Sequence, residues 1–335
     1  MKLKRLAAVT AGAFIALNST AALSATLKIS HIRPQGTVHD QNIKDFIENA
    51  VSESDTLDFN IFAANALGDY TTVQERISVG AVEMALQPIS TSSDRRLQIG
   101  LLPYLATDWE QAEAIFSPGS PLRTTISDLY SRQNIKVLAG YPVYFGGIAL
   151  NADPGDISDA GGDKGGLKLR VPPFKTFSLL AESLGYISSP LPFSEAFTAV
   201  QTGVVDGVIG SGAEGYYNSF RDVTEYYVPQ NTHFEFWYLL INEGTFNELS
   251  DDEQSAVISA AEDFELSRWE EAEAAQKYNE QRLADAGANI IDVSEETLSD
   301  SANIARKNVW PEIVSDMGED WAAPILDSVV GDYTQ

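Results

Sequence analysis

The spacing of apolar residues along this chain switches repeatedly between a period of two and a period near 3.6, and those switches predict its elements. Thr26 to His31 alternates as a strand does. From His39 to Ser52, Ile43, Phe46, Ile47 and Ala50 recur on one face, which predicts a helix. Leu57 to Phe62 reads as a second strand. The turn Ala66-Leu67-Gly68-Asp69 then leads into a helix over Thr71 to Val79, stopped by Gly80. Glu83 to Pro88 is a third strand, with Ser90 to Ser93 in the loop beyond it. Strands alternating with helices predict a largely parallel α/β sheet, and ligands gather at the carboxyl ends of such strands. The loops at 31–39, 87–93, 141–147, 170–174, 209–217 and 233–237 are therefore expected to converge on one cleft.

Further along, Ile135 to Gly140 is a strand that runs into the aromatic, glycine-rich stretch from Tyr141 to Gly147. The turn-rich segment 153–166 marks a change of composition. This predicts domain I over 26–149, together with part of 235–335, and domain II over 150–234. The apolar run from His233 to Asn242 opens a return crossing over 235–249, and two crossings make a hinge suited to closure over a ligand. Ser250 and Glu253 form a capping box that starts a long helix, 250–287, ending at Gly287. About 36 residues at 1.5 Å each span roughly 54 Å, more than one domain is wide. A coiled-coil dimer helix is the alternative, but the apolar face lacks a sustained heptad of large residues. Residues 288–335 are expected to pack back onto the body.

The richest stretch lies between Gly165 and Gly210. A short strand, Leu167 to Val171, carries Arg170 and is cut off by Pro172 and Pro173, which cannot extend a ladder. A helical pattern follows, then Pro190 and Pro192, a second helix from Ser194 to Thr202 closed by Gly203, and a buried strand over Val204 to Ile209. Three motifs occur here in order: Gly166–Pro172, Pro190–Glu195 with Phe193 before the serine, and Gln201–Gly207. In that combination the segment resembles the second domain of the substrate-binding proteins of TRAP transporters, the tripartite ATP-independent periplasmic importers (the dicarboxylate-binding, DctP-like family). The likeness extends more weakly over the rest of the chain. It implies an α/β, two-domain periplasmic binding protein fold with a hinge cleft and a long helix spanning both domains.

Composition narrows the picture. A length of 335 residues favours two domains, and 44% hydrophobic content suffices for packed cores. Lys2, Lys4 and Arg5, the apolar run Leu6 to Leu17 and small residues up to Ala25 read as a secretory signal peptide over 1–25. No later run approaches the length of a membrane span. The chain has no cysteine, which excludes disulfides, thiolate metal sites, cysteine nucleophiles and a lipid-modified N-terminal cysteine. A freely diffusing, monomeric protein of a Gram-negative periplasm is expected. Removing 1–25, with three cations and no anions, takes the formal charge from −26 to −29. Such a surface repels nucleic acid and anionic lipid and suits a salty exterior.

Arg170 heads the candidate residues, because a guanidinium fork matches a carboxylate or sulfonate and stays charged when buried. The resemblance implies that it anchors the ligand's acid group; by residue chemistry alone a structural salt bridge is the favoured reading. The resemblance also implies a ligand contact at Phe193. Where the family has an asparagine after Asp206-Gly207, this chain has Val208-Ile209-Gly210-Ser211, so backbone N–H groups or Ser211 are expected to replace that amide. The arginine that some members place just before the second domain is missing from Phe145-Gly146-Gly147-Ile148. Tyr144, Phe174 and Trp237 belong to a set of aromatics expected to wall the cleft. His31 and His233 are candidates for hydrogen bonds to ligand or loop, and Gln87 and Ser90 for polar wall positions. Three histidines, with His39, fall in cleft loops, but no metal and no cofactor are expected.

The leading expectation is capture of a small organic acid, carboxylate or sulfonate, for TRAP membrane permease subunits. A zwitterionic compatible solute as ligand, or a sensory role of the same fold, are the alternatives. A hydrolase or lyase built on Glu195 and Glu214 is the reading from another class. Neither a Gly-x-Ser-x-Gly elbow, nor a zinc helix, nor a phosphate loop is present, so the chain is not expected to be an enzyme.

Overall fold

Leu27 and Ile29, on one face of the first strand, are fully buried in a common core with Ile43 and Phe46 of the helix that follows. The chain is described by a computed structural model over residues 26–331 and 333, so the signal peptide expected at 1–25 lies outside the described residues. The first lobe runs β1 (Thr26–His31), α1 (Val38–Glu53), β2 (Asp58–Phe62), α2 (Tyr70–Ser78) and β3 (Met84–Gln87). A 3-10 turn (Arg95–Leu101), α3 (Trp109–Phe116), α4 (Pro121–Ser131) and the long β4 (Ile135–Phe145) complete it. The second lobe holds β5 (Gly147–Leu150), β6 (Lys168–Val171), α5 (Lys175–Ser183), β7 (Ile187–Pro190), α6 (Phe193–Gln201), β8 (Gly207–Ser211), α7 (Ala213–Phe220) and β9 (Tyr226–Val228). The chain returns through β10 (Phe234–Asn242) to α8 (Glu243–Glu248), α9 (Asp251–Asp285), β11 (Asn289–Ile290), α10 (Glu295–Met317) and α11 (Glu319–Val330).

Two sheets result, one ordered β2-β1-β3-β10-β4 and one ordered β11-β9-β5-β8-β6-β7. They are more mixed than the strand–helix rhythm predicts. β1 lies parallel to β2 and β3, but β10 is antiparallel to both β3 and β4, and β5 is antiparallel to β8 and β9. A chain that crosses between lobes and comes back lays its crossing strands side by side in opposite senses. The strand expected at Val204–Ile209 begins later, as β8. The N–H groups of Val204 and Val205 both donate to Ala199 O at the end of α6, which keeps them out of the ladder, and Val204 is 58% exposed.

The two crossings are bonded directly: Gly146 N donates to His233 O at 2.8 Å and Thr232 N to Gly146 O at 2.9 Å. A Cβ at Gly146 would lie 2.2 Å from the His233 ring, so only glycine allows this approach.

α9 opens on the capping box of Ser250 and Glu253, and its 35 residues extend about 52 Å. It packs against α1 and β4 in the first lobe and α7 and β11 in the second. Charged side chains fix it to the outgoing crossing. Glu265 Oε2 accepts from Gly140 N at 2.5 Å and from Arg123 Nη2 at 3.2 Å, and Arg268 Nε donates to Pro142 O at 2.8 Å. α10 packs on α5 and the 3-10 turn, and α11 on α4. Among the described residues no helix is long and apolar enough to cross a membrane.

Candidate functional site

Between the lobes, the carboxyl ends of β1, β3, β6 and β8 meet the crossing strands β4 and β10 around one cavity. Arg170 reaches it from β6. The strand is paired through Arg170 to both β7 and β8, and Pro172 and Pro173 then turn the chain away. Gly210, at φ +89°, is held against Pro172 in the cavity wall, where a Cβ would lie 2.5 Å from the ring. Arg170 is 1% exposed, and its Nε donates to Leu191 O at 2.9 Å. Its guanidinium carbon sits 5.7 Å from the centre of the Phe193 ring. Among the described residues no carboxylate pairs with it. Burial lowers its pKa, yet an arginine remains charged there.

A second guanidinium enters from the first lobe. Arg33, just past β1 and also 1% exposed, donates from Nη2 to Tyr144 Oη at 2.9 Å. Its guanidinium carbon lies 5.0 Å from the Trp237 ring centre and 5.4 Å from that of Phe193. Nε and Nη1 are buried without a partner. Glu235, on β10, is the carboxylate of the cavity wall. Its Oε2 is 2.9 Å from His233 Nε2, and its Oε1 accepts from the Trp237 indole N–H. Buried cations lacking a carboxylate are costly unless something anionic or hydrogen-bonding meets them. Such a cavity can accept a negative guest. It is also tight: about 30 Å³ is open to the centre of a water molecule, two to three times what a single water requires.

Of the residues expected at the cleft, Arg170, Phe193, Tyr144, Phe174 and Trp237 line this cavity. The remaining five lie behind its walls, each held there by a hydrogen bond to a neighbouring group. His31 Nε2 is 3.3 Å from Asp40 Oδ1, and Gln87 Nε2 donates to Tyr70 O. Ser90 N donates to Gln74 Oε1, and Ser211 Oγ is 2.9 Å from Tyr144 Oη. His233 is tied to Glu235 and to Thr232 Oγ1. Burial and the neighbouring His39 bring the His31 pKa down to about 4, outweighing the Asp40 hydrogen bond.

Arg33, Glu235 and Tyr70 are cavity residues the sequence reading missed. Signals for two of them exist. Arg33-Pro34 repeats the strand-end arginine and nearby proline of Arg170 and Pro172, and Glu235 is the one acidic residue in the run His233–Asn242. Below the cavity, His39 Nδ1 of α1 lies 2.9 Å from Glu214 Oε1 of α7, joining the lobes. Burial alone would raise the Glu214 pKa, but His39, Arg33 and Arg268 hold it down at about 2. Neither Glu214 nor the exposed Glu195 lines the cavity. Among the described residues no group of three or more His, Cys, Asp or Glu side chains is placed to hold a metal ion.

Residues 29–316 match the family described as bacterial extracellular solute-binding protein, family 7. A solute-binding protein of Roseobacter denitrificans is 29% identical over 265 residues, 78% of this chain and 79% of its own. Its crystal structure with bound L-galactonate aligns at a TM-score of 0.76 and 22% identity, covering 91% of this chain and 98% of that one. A TRAP periplasmic solute-binding protein of Haemophilus influenzae with bound L-gulonate aligns at 0.81 and 23% identity, with coverage of 91% and 98%. The ectoine-binding periplasmic protein of Halomonas elongata is 26% identical over 213 residues, 61% of this chain and 59% of its own. At such identities the structural likenesses establish the fold.

Proposed function

The chain belongs to the bacterial extracellular solute-binding proteins of family 7, and from that premise we propose that it captures a small organic acid in the periplasm for a TRAP membrane permease. Arg170 carries this reading. It is a buried guanidinium whose Nε is fixed on Leu191 O, with no carboxylate partner among the described residues, at the wall of a cavity between two lobes. Its free fork suits one carboxylate or sulfonate. Phe193, Trp237, Tyr144 and Phe174 shield that ion pair from water, which strengthens it. Ligand entry requires the lobes to part at the crossings near Gly146 and His233, and the bound acid then favours the closed form that a permease recognises. The acids held by the Roseobacter and Haemophilus relatives each carry one carboxylate, which supports a single anchoring pair.

A zwitterionic solute is the second reading. The ectoine-binding relative and the carboxylate of Glu235 among aromatic walls favour it. A thermal-shift screen against monocarboxylates, dicarboxylates, sulfonates, sugar acids and zwitterions tests the proposal. One class of acid should raise the melting temperature by several degrees, since a ligand of the native state alone must stabilise it. Neutral sugars serve as the control panel, and stabilisation by them alone would contradict an acid receptor.

A further inference from the structure

Resting on that reading, we propose that Arg33 and Glu235 form a second pole that recognises hydroxyl groups, so that this site selects polyhydroxylated monoacids. The two side chains share one indole. The Arg33 guanidinium lies 5.0 Å from the Trp237 ring centre, and Glu235 accepts that ring's N–H. Both line the cavity, yet they do not pair with each other: Arg33 is bonded to Tyr144 and Glu235 to His233 and Trp237. A cationic donor and an anionic acceptor thus face the same small space with capacity left over. Arg33 keeps two unpartnered nitrogens, and a carboxylate that has accepted two hydrogen bonds has lone pairs for more.

A hydroxyl fits such a pair, because it accepts from the guanidinium while donating to the carboxylate. Other guests satisfy only half of it. A second carboxylate would meet Arg33 but be repelled by Glu235. An ammonium or amidinium would meet Glu235 but be repelled by Arg33. A bare alkyl chain would leave the buried Arg33 nitrogens without a partner. Charge agrees: of the charged side chains that line the cavity, Arg170 and Arg33 set against Glu235 leave one positive charge, which a monoanion balances.

Calorimetric titration of the purified protein with three aldonates (L-gulonate, L-galactonate and D-gluconate), hexanoate, adipate and ectoine tests this. The tightest aldonate should bind at least about 100-fold better than hexanoate, since a site built to hydrogen-bond hydroxyls rejects the analogue lacking them. Adipate and ectoine should also bind more weakly than that aldonate. Glu235→Gln, which keeps the shape but not the charge, should weaken the aldonate at least about tenfold while narrowing its lead over adipate. Should that variant melt abnormally, Arg33→Lys serves, and it should cut the aldonate-to-hexanoate ratio. Hexanoate, adipate or ectoine matching the best aldonate, or an unchanged ratio in a folded variant, would overturn the inference and leave the acid-receptor reading standing. If no acid binds at all, both fall.

Discussion

Arg170 and Arg33 occupy matching positions, each at the end of a strand with a proline close behind, and each is buried against Phe193. Burial has a different consequence at His31. Its pKa falls from 6.5 to about 4, so the folded form holds it neutral while the unfolded chain protonates it near neutrality. The unfolded state thus binds more protons between those values, and stability should decline by up to about 3 kcal/mol as pH falls from about 6.5 to 4. Urea unfolding at several pH values should show that slope, and His31→Gln should flatten part of it; an unchanged slope would contradict the assignment. Arg170 was legible in the sequence because adjacent prolines fix its strand-end position. Arg33 was less so, since its neighbours in the loop, Gln35, Thr37 and His39, offered equally polar candidates. Which face His31 and Gln87 take depends on strand phase at the exit, which composition does not encode, and Ser90 lies in the loop beyond, tied back to Gln74.

Among the elements, α9 underlies both lobes, and buried charges beside its apolar residues fix it to the outgoing crossing. Glu265 accepts from Arg123 and from Gly140 N, and all of these are buried against β4. Glu265→Ala would strand the Arg123 guanidinium, and a buried pair broken on one side costs about 3–5 kcal/mol. Denaturant titration should report a loss of that size, whereas a loss below about 1 kcal/mol would mark the pair as a surface-like contact. The helix itself was readable from Ser250, Glu253 and Gly287, because caps are local chemistry. The antiparallel pairing of β4 with β10 was not, because apolar periodicity identifies a strand but neither its partner nor its direction. Val204 failed for a related reason: an apolar residue at a helix end looks the same as the start of a strand until its N–H finds Ala199 O.

For the whole molecule, near-complete burial of Arg170, Arg33, Tyr144 and Trp237 means that the described form is closed. Two lobes joined by two crossings and underlain by one helix have the topology of a hinge, so the proposed capture predicts opening there. Small-angle scattering should show a larger radius of gyration without ligand than with a saturating acid ligand; equal radii in both conditions would rule out closure on binding. The central claim is that Arg170 holds the ligand's acid group. Calorimetry of Arg170→Ala against the wild type, with the acid that gives the largest thermal shift, tests it most directly. Affinity should weaken by roughly 2–5 kcal/mol with the circular dichroism spectrum unchanged. An affinity equal to that of the wild type would remove Arg170 from the site.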